Sequence, residues 1–365
     1  MGTWSKCSAS TTATGRHLSS TLRSSRCVQS DLFGIFDASA PLHGKTQRSP
    51  VRPVGILYEH PEWFKPLFAE LDRQSVPFEP IDAAHHTFEP GSRSNPYSLV
   101  VNRMSPSAWL RGHGQAIFHT LDFLSHLESI GANVLNGRQA YELEISKARQ
   151  LGLFASLGIR YPRARVVNDQ SQIVEAAEGL RYPLLLKPNI GGSGGGIRSF
   201  AAPDELAEAV ATGAAIEMGL DHTMLVQEHL PARGDSIVRI EILDGDFLYA
   251  IRIHLLPGSF NLCPADYCEL PGVADGVSGR GLPIESYRPP DAVVEQARRI
   301  VGSAGMDVGG VEYLVNDRDG EAYFYDVNAL SNFVADAVEV IGFDPFVNLA
   351  GVIGQRAGQP TVAVA

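Results

Sequence analysis

The stretch "KPNIGGSGGGI", residues 187–197, places a lysine and a proline two residues ahead of a run of five glycines and one serine. Glycine adopts backbone angles that other residues avoid, and its missing side chain lets a ligand approach the main chain. A run of accessible N–H groups beside a fixed ammonium suits a polyphosphate. A flexible surface loop would also explain a glycine run, so the neighbouring sequence has to decide between these interpretations.

The composition of the chain is ordinary for a globular enzyme. Its 365 residues are 44% apolar and 19% charged, and they leave room for two or three domains. The net charge of −11, from 30 basic and 41 acidic residues, argues against nucleic acid or an anionic membrane as the main partner. No apolar run approaches the ~20 residues that a membrane helix needs. We therefore predict a cytoplasmic protein with no nucleic-acid or membrane partner, and we leave a homo-oligomer open.

The four cysteines predict neither a disulfide framework nor a zinc site. Cys7 and Cys27 lie in an unusual N-terminal segment, whereas Cys263 and Cys268 form a C-x4-C pair in "NLCPADYC". A structural zinc site of this type needs a second pair of ligands, which the sequence does not supply. A reduced, cytosolic environment fits this cysteine usage.

Residues 1–50 differ in composition from the rest of the chain. Eight serines precede the first acidic residue, Asp31, and the segment carries six basic and two acidic side chains. Such a composition is typical of a transit peptide, so targeting to an organelle stays open. We favour a disordered N-terminal extension, or a start site assigned too early.

From residue 51 onward, apolar strands alternate with amphipathic helices. The segments "VRPVGILYEH" and "YSLVVNRM" read as buried strands, and "EWFKPLFAELDRQSV" places its apolar residues on one helical face. This alternation is typical of a parallel α/β layer. We predict a small open-sheet α/β domain over residues 51–140.

The later sequence predicts antiparallel pairs of strands. "PLLLKPN" is an apolar strand that runs into the glycine loop, and "SIVRIEILDGDFLYAIRIH" alternates on both sides of Asp244-Gly245, which indicates a hairpin. "VGGVEYLVNDRDGEAYFYDVNAL" indicates a second hairpin. We divide this part into a central domain over residues 141–230 and a C-terminal domain over residues 231–365.

Several motifs occur together in a fixed order. Lys147 on a helix precedes "LLLKPNIGGSGGGI", "VQEHL", "GDSIVRIEIL", "GVEYL" and "YDVNALSN". Over residues 51–355 this order resembles the ATP-grasp superfamily, and in particular the branch that contains glutathione synthetase and the ligases that add glutamate to a protein or peptide end. The resemblance implies an α/β (partly α+β) ATP-grasp fold in which a small N-terminal domain precedes two domains that grip ATP between antiparallel sheets.

The resemblance assigns the nucleotide to the glycine loop and to "VQEHL". Lys187 would neutralise phosphate charge while the glycine N–H groups close over the triphosphate, and Lys147 matches the second phosphate lysine of the family. An exposed lysine and a plain strand end are the competing interpretations. The predicted nucleotide-binding residues are Lys147, Lys187, Gly192, Ser193, Gly194, Gly195, Gln227, Glu228, His229, Leu230 and Asp235.

Three oxygen-bearing residues of the second hairpin predict a cation site. Asp326 and Asn328 are two residues apart, so they project from the same face of their strand. Glu312 lies on the strand before them. Such oxygen ligands suit Mg²⁺, or Mn²⁺, bridging phosphates. The family usually shows Asp, Glu, Asn in this order, whereas this chain has Glu, Asp, Asn; acids placed on a hairpin by chance are the alternative.

The predicted catalytic residues are Arg239, Arg252 and Asn261. In the family, arginines on the middle hairpin hold the transferred phosphate and the carboxylate, which guanidinium groups match in shape, and Asn261 matches a position near the acyl phosphate. A structural role in the hairpin is the competing interpretation for each. Residues 330–333 follow the cation ligands and are expected to help form the acceptor pocket.

We therefore predict an ATP-dependent ligase that joins a small-molecule carboxylate, an amino acid or a peptide, to an amine through an acyl phosphate, with release of ADP and phosphate. No Ser-His or Cys-His arrangement supplies a protein nucleophile, and this mechanism needs none. Two alternatives remain. One is an enzyme of the same fold that carries out carboxylation or phosphoryl transfer, and the other is a nucleotide-binding protein without catalysis.

Overall fold

The computed structural model describes residues 52–192, 194–213, 216–255 and 283–358. Ser193, Asn261, the four cysteines and the N-terminal segment, for which the sequence made predictions, lie outside these ranges. No helix within the described ranges combines the length and the apolar character that a bilayer crossing requires.

The first sheet is parallel, with the strand order β2-β1-β3-β4. Apolar side chains of α1 and α9 cover one face of β1 and β3, and those of α2 cover the other. Burial on both faces explains why these strands are continuous apolar runs. The elements are β1 (Val54–Tyr58), α1 (Lys65–Arg73), β2 (Phe78–Asp82), β3 (Leu99–Asn102), a 3-10 helix (Pro106–Arg111), α2 (Gly114–Ser129) and β4 (Val134–Leu135), with α9 (Pro345–Arg356) near the C-terminus.

The second sheet is antiparallel, with the order β5-β8-β6-β7. Leu184 and Leu186 of β6 pack with α5 and α6 on one face, so the alternate residues Leu185 and Lys187 point to the other face. The elements are α3 (Arg138–Glu144), α4 (Lys147–Ser156), β5 (Ala164–Val167), a 3-10 helix (Gln170–Gln172), α5 (Ile173–Ala177), β6 (Leu184–Pro188), β7 (Arg198–Phe200), α6 (Pro203–Thr212) and β8 (Met224–Glu228).

The third sheet is also antiparallel, with the order β11-β10-β9-β12-β13. Both predicted hairpins are present, and Asp244 and Gly245 adopt the positive φ angles, 51° and 82°, of a tight two-residue turn. The elements are a 3-10 helix (Arg233–Asp235), β9 (Ser236–Leu243), β10 (Asp246–His254), β11 (Ile284–Ser286), α7 (Asp291–Ser303), β12 (Val308–Val315), β13 (Ala322–Asn328) and α8 (Ala337–Ile341).

The central strand β9 is buried on both faces. Val238, Ile240 and Ile242 pack into a core that includes residues of α4 and α7. Ile237 and Arg239, on the opposite face, line a cavity. The period of two along the strand therefore separates a structural face from a face that is available to a ligand.

Candidate active site

A cavity of about 580 Å³ is lined by residues of the second and third sheets and by loops that follow strands of the first sheet. Most of the residues predicted from the sequence line it, and their roles remain predictions. These residues are Lys147, Lys187, Gly192, Gly194, Gly195, Gln227, Glu228, His229, Leu230, Asp235, Arg239, Glu312, Asp326 and Asn328.

Two lysines reach the cavity from different elements. Ser146 caps α4 by accepting a hydrogen bond from the Arg149 amide at 3.3 Å, and this cap fixes Lys147 in the first turn. Lys187 lies near the end of β6 with only 6% of its surface exposed. Burial and the nearby Lys147 lower the pKa of Lys187 to about 8. Burial disfavours the charged form of Lys187, and the Lys147 ammonium repels a second positive charge. A bound anion would stabilise both charged lysines.

The predicted cation ligands lie together on β12 and β13. Glu312 is directly opposite Asp326, and Asn328 Nδ2 donates to Asp326 Oδ2 at 3.1 Å. Burial raises the pKa of the Glu312 carboxyl despite the neighbouring arginine. Burial also opposes ionisation of Asp326, but Lys147 and Lys187 outweigh it and hold the pKa of that carboxyl below its usual value.

This donor set fits Mg²⁺. The described ranges contain no cluster of three or more His, Cys, Asp or Glu side chains arranged for a metal, so the candidate site consists of two carboxylates and one amide oxygen. Magnesium commonly takes one or two carboxylates and completes its shell with water and phosphate oxygens. Two buried carboxylates that face each other also repel, and a divalent cation would relieve that repulsion.

The glycine loop packs against the 3-10 helix Pro106–Arg111, which follows β3. A Cβ atom on Gly192 would lie 2.9 Å from Ser107 Cβ, which is closer than two carbon atoms can approach. Gly194 and Gly196 have φ angles of 74° and 73°, which favour glycine. Glycine at these positions avoids a clash or an unfavourable backbone angle, and this favours a loop of defined conformation over a flexible one.

In the "VQEHL" segment the side-chain acceptor without a partner in the described ranges is the Gln227 amide oxygen, not the Glu228 carboxylate. The Glu228 carboxylate accepts a hydrogen bond from the Arg181 amide at 2.9 Å and pairs with Arg163 at 3.4 Å, so it is already engaged. By contrast, Gln227 is 4% exposed, and its Oε1 atom has no hydrogen-bond partner among the described residues. A buried amide oxygen without a donor is costly, and a ligand donor in the cavity would satisfy it.

Arg239 is held by three protein acceptors. Its Nε donates to Glu241 at 2.6 Å, Nη1 donates to Glu312 at 3.0 Å, and Nη2 donates to Ser331 Oγ at 3.1 Å. The guanidinium packs directly against Gly310, and a Cβ atom added to that glycine would lie 2.5 Å from Arg239 Nη2. A guanidinium has five N–H groups, so two have no acceptor among the described residues and are available to a ligand.

The prediction that Arg252 shares the site is corrected by the strand register. Arg252 pairs with Val238, whereas Arg239 pairs with Ile251, so the two arginines point to opposite faces of the sheet. Arg252 instead donates to Glu285 at 3.0 Å and lies 4.0 Å from the centre of the Tyr287 ring. A bulge between Phe247 and Tyr249 causes the change of face, because uninterrupted pairing from the turn would place Arg252 opposite Ile237.

Two buried charged residues that the motifs did not reveal hold the segment after Asn328. The Glu144 carboxylate accepts hydrogen bonds from the amides of Ala329 and Leu330, and burial raises its pKa to about 7. Arg103, which is 1% exposed, donates to the carbonyls of Ala329 and Ser331. The only sequence signals were the position of Glu144 three residues before Lys147 and that of Arg103 directly after an apolar strand.

No protein-family model matches the chain. Over 200 residues the chain is 30% identical to a D-alanine–D-alanine ligase of Geobacter sulfurreducens, a match that covers 55% of this chain. The same match covers 59% of that ligase, so the chain spans less than two thirds of its length.

Solved structures decide the fold. A RimK-domain ATP-grasp protein of Sphaerobacter thermophilus matches with a TM-score of 0.59 and 17% identity, over 82% of this chain and 98% of that one. The chain has the ATP-grasp fold. The D-alanine–D-alanine ligase of Bacillus anthracis, solved with ATP, likewise matches this ATP-grasp chain with a TM-score of 0.58 and 15% identity, over 85% of this chain and 97% of that one. The α/β fold and the resemblance to the ATP-grasp superfamily, both predicted from the motifs, are thereby confirmed.

Proposed function

We propose that this ATP-grasp chain is an ATP-dependent carboxylate–amine ligase that releases ADP and phosphate. The observation that carries the proposal is the pairing of cations and carboxylates inside one cavity, where Lys147 Nζ lies 2.8 Å from Asp326 Oδ1 and Lys187 is buried nearby. Lysines for phosphate oxygens and carboxylates for a divalent cation are the two sets of groups that a bound nucleoside triphosphate requires. The relative in Geobacter sulfurreducens and the structure from Bacillus anthracis, both D-alanine–D-alanine ligases, support the same reaction class.

Adenine recognition is assigned to Gln227 and Leu230. The unpartnered Gln227 Oε1 atom would accept a hydrogen bond from an exocyclic amine of the base. The amides of Glu228 and His229 already donate to the carbonyls of Arg163 and Pro183. Leu230, whose amide has no such backbone bond among the described residues, lines the cavity and would donate to a ring nitrogen.

The reaction has two steps. A carboxylate oxygen of the first substrate bonds to the terminal phosphorus of ATP, and the bond from that phosphorus to ADP breaks. The amine nitrogen then bonds to the acyl carbon, the bond from that carbon to the phosphate oxygen breaks, and the nitrogen loses a proton to solvent. The phosphate leaves with one oxygen of the original carboxylate. Neither step requires a covalent bond to the protein.

The side chains of the cavity position these reactants and neutralise their charge. Lys147 and Lys187 would neutralise the phosphates, and the two remaining N–H groups of Arg239 would hold the carboxylate or the transferred phosphoryl group. Glu312, Asp326 and Asn328 would hold Mg²⁺, which when bound supplies charge neutralisation at the phosphate oxygens.

Trapping the acyl phosphate tests this function. The full chain is incubated with ATP, Mg²⁺ and hydroxylamine, and free amino acids, dipeptides and simple carboxylic acids are screened one at a time. At least one acid should give a hydroxamate, with one ADP for each hydroxamate. With the best acid labelled with heavy oxygen, and with an amine in place of hydroxylamine, the released phosphate should carry one label.

Other outcomes identify the alternatives. ADP release without a hydroxamate would favour carboxylation or phosphoryl transfer. Saturable ATP binding without turnover on any acid would favour a nucleotide-binding protein without catalysis. Release of AMP and pyrophosphate would exclude the acyl-phosphate route.

A further inference from the structure

A second cavity of about 320 Å³ adjoins the first. Trp63 and Asn332 line both cavities, so the two share a wall. The floor of the second cavity is apolar and includes Pro66, Phe333 and Phe346. We call this second cavity the side groove.

The shared wall is well fixed. Asn332 follows Asn328 by four residues, and the hydrogen bonds of Glu144 and Arg103 to residues 329–331 hold the connecting segment. Trp63 is 8% exposed and lies 5.2 Å from the Arg111 guanidinium. The side groove therefore lies beside the candidate cation ligands, and Trp63 and Asn332 separate it from the first cavity.

The charged residues that line the side groove, among those that the structure describes, are all acidic. They are Glu62, Asp336, Glu339 and Asp344, and no described lysine, arginine or histidine joins them. Glu62 is paired with Lys65 at 2.6 Å, and Asp344 caps α9 by accepting a hydrogen bond from the Phe346 amide at 2.9 Å. Asp336 and Glu339 form no ion pair with a basic side chain in the part of the chain that the structure describes.

We propose that the side groove binds the amine substrate, and that this substrate is a small alkyl amine carrying a second, cationic group. The inference rests on the proposed ligase function, and it adds the chemical class of the acceptor. An acceptor carbon chain would pack on the apolar floor, and its reacting nitrogen would reach the first cavity past Trp63 and Asn332.

The second positive charge follows from the chemistry of the attack. The nitrogen that attacks the acyl phosphate must be neutral, so the carboxylates of the side groove gain no charge attraction from that nitrogen when it attacks. They can act on another ammonium of the same molecule, which Asp336 and Glu339 would attract. An acceptor with a carboxylate in that position would meet four like charges, and it would be disfavoured.

A matched series of acceptors tests the proposal. The acid that gives the most hydroxamate serves as the donor, and amide formation is measured with 1,4-diaminobutane, 4-aminobutan-1-ol and 4-aminobutanoate. These amines have the same carbon chain with a cationic, neutral or anionic end. We expect kcat/KM to be highest for the diamine, and higher than that for 4-aminobutanoate by about tenfold or more.

Variants assign the preference to the side groove. In D336N/E339Q the diamine-to-aminobutanoate ratio should fall about fivefold, since exposed charge pairs are each worth a factor of about two to five. Asparagine suits position 336 because this residue has a φ angle of 51°. E339K should shift the preference further towards 4-aminobutanoate. The control D122N/E208Q removes the same charge from exposed positions on α2 and α6, and it should leave the ratio within about twofold.

The outcomes separate this proposal from the proposed function. If hydroxamate forms but the three amines react equally, or the ratio is the same in D336N/E339Q and the control, the acceptor assignment is wrong while the ligase function stands. If no acid gives a hydroxamate, the ligase function itself is wrong, and the acceptor assignment is overturned with it.

Discussion

Lys147 Nζ donates a hydrogen bond to Asp326 Oδ1 across 2.8 Å and so joins the first turn of α4 to β13 within the cavity. The two side chains are only 14% and 17% exposed. Burial would lower the pKa of Lys147, but Asp326 outweighs it and raises that pKa above the usual value. Each residue therefore stabilises the charged form of the other. Asp326 is thus both the partner of Lys147 and a candidate cation ligand.

Removing the lysine should destabilise the protein without ligand. Lys147→Met leaves Asp326 and Glu312 as buried carboxylates without this cation, and we expect the free energy of unfolding to fall by roughly 2–4 kcal/mol. Asp326→Asn in the same chain should restore part of that loss, because it removes the repelling charge. Urea unfolding of the two single variants and the double variant measures the coupling. Strictly additive changes would contradict the dependence of one residue on the other.

Nucleotide affinity should fall as the pH rises past about 8. The pKa of Lys187 is lowered to about 8 in the protein without ligand, so above that pH the lysine is mostly neutral. Bound phosphates favour the ammonium and raise its pKa, so binding must then take up a proton, and affinity falls by at most about tenfold per pH unit. Calorimetric titration of ATP in buffers of different ionisation enthalpy measures the uptake at pH 9. Lys187→Met should abolish the uptake and weaken binding, whereas Lys65→Met on α1 should change neither.

A methyl group at position 310 should displace Arg239. The added carbon of Gly310→Ala would meet Arg239 Nη2 at 2.5 Å and Glu241 Oε1 at 2.8 Å, so the guanidinium must give up at least one of its hydrogen bonds. Overpacking of this kind costs roughly 1–3 kcal/mol of unfolding free energy, and amide formation should slow as well. Gly302→Ala on α7 is the matched control, because no atom lies within 4 Å of its added carbon. Equal effects of the two substitutions would show that Arg239 tolerates displacement.

The sequence was informative where the relevant pattern is local. Lys187 and the glycine loop are contiguous, and Asp326 and Asn328 share a strand, so strand periodicity sufficed to place them on one face. It failed for Arg252 because the bulge at Phe247 changes the face of every later residue in β10. Glu144 and Arg103 act on residues almost two hundred positions away or more, a relationship that only the tertiary fold creates.

Gln227 should control the affinity for ATP. Gln227→Leu removes the acceptor for the exocyclic amine, and we expect the Kd of ATP to rise by roughly 5- to 150-fold, the equivalent of a hydrogen bond worth about 1–3 kcal/mol. Gln227→Glu keeps an acceptor at this position and should retain most of the affinity. Titration of ATP against both variants provides the test, with Gln355→Leu on the exposed face of α9 as the control. Unchanged binding by Gln227→Leu would place the base elsewhere.

Substitution of the candidate cation ligands should raise the Mg²⁺ concentration needed for turnover. Asn328→Ala removes one oxygen donor, and Asp326→Asn removes one charge, so each variant should need roughly tenfold more Mg²⁺ to reach half of its maximal rate. Asp326→Asn also frees Lys147 for the phosphates, so its binding of ATP without metal should strengthen, whereas that of Asn328→Ala should stay close to the original. Magnesium titrations of ADP release, together with ATP titrations in the presence of a chelator, separate these two effects. Asp122→Asn on α2 serves as the control for the loss of a carboxylate. A normal magnesium requirement in both site variants would mean that the cation binds to other oxygens of the cavity.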